Sequence, residues 1–119
     1  MPVIAVVDDL IFAARIRETA RQVNVEVELT PTAALHDRTG RGGVDAVILD
    51  LGAPSALDSL RTLKANPATA SARVVGYASH VATETIQAAR AGGCDEVVAR
   101  SAFTRQLPNL LKRLGAMRR

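Results

Sequence analysis

Val47-Ile48-Leu49-Asp50-Leu51 is the stretch on which the fold turns: Ala46 to Leu49 is apolar at every position, and a carboxylate, Asp50, stands at its carboxyl end. A strand that is apolar on both sides of its pleat must be covered on both faces, as in a parallel sheet between helices. The same design recurs on either side. Val3 to Val7 is apolar throughout and runs into Asp8 and Asp9. Val74 to Tyr77 is broken only by Gly76 and runs into Ala78 and Ser79, and the short Val97-Val98-Ala99 runs into Arg100. Val25-Glu26-Val27-Glu28-Leu29 alternates instead, so one of its faces meets water and it is the expected edge strand.

Helix-period segments separate these runs, and that alternation predicts a parallel α/β sheet of five βα units. Phe12, Ile16, Ala20 and Val23 form one stripe of a first helix that Asp8 or Asp9 could cap. Thr30-Pro31 reads as the cap and first position of a second helix, ending before Gly40, Gly42 and Gly43. Ser55 with Asp58 has the spacing of a capping box ahead of Leu57, Leu60 and Leu63, and Asn66-Pro67 is the stop. Ala82, Ile86 and Ala89 give a fourth helix a small-residue face, closed by Gly92-Gly93. Pro108 would break the interior of a helix, so the last one is expected to begin near Thr104, with Leu107, Leu110, Leu111 and Leu114 buried.

Composition narrows the functional classes. The 119 residues are 48% hydrophobic and 23% charged, the balance of one globular domain. No apolar run approaches the roughly 18 residues of a membrane span. No basic region precedes Met1 to Val7, so a secretory signal is not expected and the cytoplasm is the expected location. Cys94 is the single cysteine, which excludes an internal disulfide and reads as a small buried hydrophobe. The formal net charge of +3 would become −1 without Lys112, Arg113, Arg118 and Arg119, so the surplus belongs to the C-terminus and not to a face. Aromatic residues at 3% leave little with which to stack on bases.

In an open parallel sheet, ligands bind beyond the carboxyl ends of the strands. That rule gathers Asp8, Asp9, Asp50, Ala78, Ser79 and Arg100 at one rim. Carboxylates so gathered repel one another unless a cation neutralises them, and Mg²⁺, which takes oxygen ligands, suits such a cluster. A central carboxylate can then attack phosphorus and form an acyl phosphate. Asp50 holds that position. Arg100 could instead neutralise the acids itself, as a structural salt bridge. His36 and His80 have no partner at ligand spacing and read as surface residues.

Val6-Val7-Asp8-Asp9, Val47 to Leu51 with Pro54 beyond, and Gly93-Cys94-Asp95-Glu96 together resemble the receiver domain of bacterial two-component response regulators, of the chemotaxis type. The resemblance implies a flavodoxin-like (βα)5 three-layer sandwich with strand order 2-1-3-4-5, spanning residues 1–115 ahead of a basic tail at 116–119. It implies Asp50 as phosphoryl acceptor, with Asp8, Asp9, Asp50 and the Gly52 carbonyl as Mg²⁺ ligands. The family's other parts are altered, which marks an atypical or pseudo-receiver variant. Ala78 falls where a Ser or Thr meets the phosphoryl group, with Ser79 one residue late. Arg100 replaces Lys, Ser101 the following Pro, and Val97 the switch aromatic.

The implied function is a stand-alone module in phosphorelay signalling. It would receive phosphate from a histidine kinase or phosphotransfer protein and dock a downstream protein through helix 4, strand 5 and helix 5, as monomer or homodimer. Phosphate-independent docking and a phosphate sink that dephosphorylates itself remain as alternatives. So does weak, non-specific nucleic-acid binding by the tail, since no module for reading a specific sequence fits beyond the last helix. Any enzyme activity would be limited to phosphorylation and dephosphorylation of the aspartate.

Overall fold

The computed structural model describes residues 3–41 and 43–116. Five strands, β1 (Val3–Val6), β2 (Val27–Thr30), β3 (Ala46–Asp50), β4 (Arg73–Ala78) and β5 (Glu96–Ala99), form one parallel sheet in the order β2-β1-β3-β4-β5. Five helices alternate with them: α1 (Leu10–Gln22), α2 (Leu35–Gly40), α3 (Ala56–Ala65), α4 (Thr83–Ala91) and α5 (Arg100–Ala116). The strand order is the one the resemblance implies, with the alternating strand at the edge. Among the described residues, no helix is long and apolar enough to cross a membrane.

The sheet divides two apolar cores. Ala5, Ile48, Val75 and Tyr77 pack against Ile16 of α1 and Phe103, Leu107 and Leu111 of α5. Val6, Val47, Leu49, Val74 and Ala78 face the other way, against Leu35 of α2, Leu60 and Leu63 of α3 and Ala89 of α4. Each large side chain fully buried in this way contributes about 1.5–3 kcal/mol. Cys94 is buried in the second core, as expected.

Several boundaries and caps differ from expectation. Helix α5 starts at Arg100, not near Thr104, and carries Pro108 inside it. The earlier start takes in Phe103, which is buried, and burial of a side chain of that size offsets much of the ~3 kcal/mol that an interior proline costs. Thr30 does not cap the second helix, because it pairs with Val6 at the end of β2. Pro31 is extended at ψ 152°, and a 3-10 turn, Thr32–Ala34, leads into α2, which includes Gly40. Ser55 precedes α3 without a side-chain cap, and Asp58 pairs with Arg61 of the next turn instead of closing a capping box. Finally, β2 begins at Val27, after Asn24 turns the chain with a φ of 61°.

The helix stops agree with the chain's punctuation. Asn66 ends α3, and Gly93 takes a φ of 104° just after α4. Of the expected tail, Ala116 is the last residue of α5, and 117–119 lie outside the described residues, as does Gly42.

Candidate functional site

Strand order reverses at β1, so the loops after β1 and β3 open on the same rim of the sheet. Asp8 and Asp9 follow β1. Asp9 caps α1: its Oδ1 accepts from the N–H groups of Ile11 at 2.9 Å and Phe12 at 3.2 Å. Asp8 Oδ1 accepts from Thr32 N–H at 2.8 Å, which ties the loop after β1 to the one after β2.

Asp50 ends β3 and is only 9% exposed. Its Oδ1 accepts from Gly52 N–H at 2.9 Å and lies 3.4 Å from Arg100 Nη2. The early start of α5 places Arg100 there, on the first residue of the helix. Its guanidinium also lies 5.7 Å from the ring centroids of both Phe12 and Tyr77. Asp50 is thus a nearly buried acid beside one half-exposed cation.

The three acids share a rim but are turned to different partners. Their oxygens are of the kind Mg²⁺ prefers. As they stand, however, each has an oxygen spent on a backbone N–H, and among the described residues no three His, Cys, Asp or Glu side chains converge to hold a metal ion. Each acid keeps a second carboxylate oxygen, so the donor set suits Mg²⁺ in kind although the three are not gathered on one point, and the cation beside Asp50 is Arg100.

A cleft of about 420 Å³ opens beside the site between the β3–α3 and β4–α4 loops, with Gly52, Ala78, Ser79, Thr85 and Arg100 among its walls. Ala78 brings no polar group to it. Ser79 is exposed, and its Oγ faces its own loop, 3.4 Å from Val81 N–H. Val97 is half-buried against the second core. His36 and His80 are exposed.

The hydroxyl on the Asp50 side of the sheet belongs to Tyr77, which in the sequence stands out only as part of a strand. Asp50 and Tyr77 are register partners on adjacent parallel strands, and Ile48 and Val75, two residues earlier on each, share the same core. Side chains at matched parity point to one face, so Tyr77 flanks Asp50 and Ala78 faces the opposite core. The Tyr77 ring is stacked on Phe103 at 4.4 Å and meets Phe12 edge-on at 4.9 Å. Burial, and next the charge of Asp50, push the phenol pKa up, against the opposing pull of Arg100. Despite that proximity, no hydrogen bond of acceptable geometry reaches its buried oxygen among the described residues. The signal available in the sequence was slight: Tyr77 is the single tyrosine, set in a strand of small aliphatics.

No protein-family model matches the chain, and a search of curated proteins gave no match. Solved structures do match. A response regulator receiver domain from Rhodospirillum rubrum is 25% identical, with a TM-score of 0.79 over 99% of this chain and 96% of that one. The receiver domain of a sensor histidine kinase from Pseudomonas aeruginosa, solved with a magnesium ion in its active-site cleft, is 15% identical, with a TM-score of 0.81 over 97% of each chain. A phosphorylated cyanobacterial phytochrome response regulator is 18% identical, with a TM-score of 0.73 over 95% of this chain and 89% of that one. The chain has the receiver-domain fold over nearly its whole length.

Proposed function

We propose that this chain, built on the receiver-domain fold, is a signalling module whose state is set at Asp50, its phosphoryl acceptor. The observation that carries this reading is the pairing of a carboxylate nucleophile with Arg100, 3.4 Å away, at the strand-order reversal of the sheet. A carboxylate oxygen of Asp50 attacks the phosphorus of a phosphohistidine or acyl phosphate. The new O–P bond forms as the donor's bond to phosphorus breaks, and the donor leaves with that electron pair and takes a proton from solvent where its basicity requires one. Arg100 then exchanges a carboxylate for a phosphoryl group, which its planar fork can grip through two hydrogen bonds. Because Arg100 opens α5 directly after β5, its movement is felt at the β5–α5 junction. A face made of α4, β5 and α5 is therefore the docking surface for a downstream protein, with a histidine kinase or phosphotransfer protein as donor and the cytoplasm as the place of action. Mg²⁺, where bound, would supply further neutralisation, held on carboxylate oxygens of Asp8 and Asp9 other than the Oδ1 atoms that accept backbone N–H groups.

Incubation with acetyl phosphate, with and without Mg²⁺, tests the reading by intact mass. One phosphoryl adduct on the wild type and none on Asp50→Asn is the expected result. Absence of the adduct under both conditions overturns it. The second reading, docking independent of phosphate, then stands. It is favoured by one specific feature, Ala78, which lines the cleft beside Asp50 and brings no side-chain hydroxyl to it.

A further inference from the structure

We infer that the Tyr77 hydroxyl is the hydrogen-bond donor that holds an oxyanion carried on Asp50, in the place where Ala78 offers none. The inference rests on Asp50 as the acceptor and adds a second contact to that group. Four observations support it. The register pairs Tyr77 with Asp50 and aims both side chains to one face. The Tyr77 ring is clamped between Phe103 and Phe12, which stand in the first turns of α5 and α1, so it is held at the rim that carries Asp50. Its oxygen is buried and has no partner among the described residues. Arg100, the cation that pairs with Asp50 among the described residues, lies over the same ring at 5.7 Å.

A buried donor without an acceptor is a standing cost to the resting protein. In the resting state, Asp50 Oδ1 is engaged by Gly52 and Arg100 and the phenol is left over. A phosphoryl group on Asp50 adds three strong acceptor oxygens beyond the carboxylate, within a site where burial keeps the phenol protonated and therefore a donor. Arg100 and Tyr77 together would then hold the group from the α1/α5 side of the sheet. Ser79 stays in its own loop.

Tyr77 is the single tyrosine and there is no tryptophan, so ultraviolet absorbance and tyrosine emission report this hydroxyl's surroundings. The test compares wild type, Tyr77→Phe and Asp50→Asn, each with acetyl phosphate and with beryllofluoride. Tyr77→Phe keeps the ring stack and deletes only the oxygen. Expected are a tyrosine spectral change in the wild type that Asp50→Asn lacks, and an acyl-phosphate lifetime about tenfold shorter in Tyr77→Phe, with thermal stability no lower than wild type. An adduct of unchanged lifetime in Tyr77→Phe, or a wild-type adduct without any tyrosine change, overturns the role of Tyr77 and leaves Asp50 as acceptor. No adduct on the wild type overturns both.

Discussion

Arg100 Nη2 stands 3.4 Å from Asp50 Oδ1, and a Cβ added at Gly52 would lie 3.0 Å from that nitrogen and 3.2 Å from that oxygen. The pair is packed into a gap that glycine keeps open. The Arg100 side chain is 49% exposed, so solvent screens the attraction and the pair contributes no more than about 1 kcal/mol. Arg100→Gln should lower stability by that much or less in urea unfolding while sharply reducing retention of a phosphoryl group on Asp50. A loss of several kcal/mol would make Arg100 a structural residue first.

Stability should fall on the alkaline side. The folded protein keeps the Tyr77 phenol protonated, whereas the unfolded chain ionises it near the ordinary value of 10.0. The stabilisation is complete below pH 10.0 and is lost as pH rises above it, at up to about 1.4 kcal/mol per pH unit. Urea unfolding on both sides of that pH should show the slope in wild type and lose this component in Tyr77→Phe. At neutral pH the same variant should be level or more stable by about 1 kcal/mol, because it removes a buried unpartnered hydroxyl.

Asp9 should behave as a helix cap. Its Oδ1 serves two N–H groups of α1, so Asp9→Ala should cost about 1 kcal/mol, and Asp9→Asn, which keeps a capping oxygen, much less. If the two variants unfold at the same urea concentration, the charge of Asp9 matters more than its capping bonds.

Gly76→Ala should be damaging, for a reason of space. A Cβ there would lie 2.6 Å from Leu51 Cδ1 and 2.8 Å from its Cγ, inside a close-packed core. A loss of about 1–3 kcal/mol is expected from overpacking, measured as a lower thermal midpoint. The buried Cys94, whose sulfur would lie 3.2 Å from the same Cβ, offers a second readout through faster reaction with a thiol reagent.

Pro108 lies inside α5, where it can donate no hydrogen bond to the preceding turn. Pro108→Ala should stabilise the protein by about 1–3 kcal/mol in thermal unfolding. A destabilised variant would mean that the ring's packing outweighs the missing bond.

The apolar runs around Ala5, Ile48 and Val75 and the alternation of Val25 to Leu29 were enough to determine a parallel sheet with an edge strand. Burial on two faces demands that pattern of any chain that folds this way, so it is written locally. An aspartate cap from Asp8 or Asp9 and a helix stop at Gly92-Gly93 were legible for the same reason, since each acts within its own few residues, and the structure selects Asp9 and Gly93. The start of α5 was not, because the residues it takes in are held by partners distant in sequence: Phe103 stacks on Tyr77 of β4. The site divides in the same way. That Asp8, Asp9, Asp50 and Arg100 reach one rim follows from strand ends and could be read from the chain. Which oxygen faces which donor depends on strand register, and register set Tyr77 rather than Ala78 beside Asp50. A shift of one residue sends a side chain to the opposite face of a sheet, and only the packed structure resolves that parity.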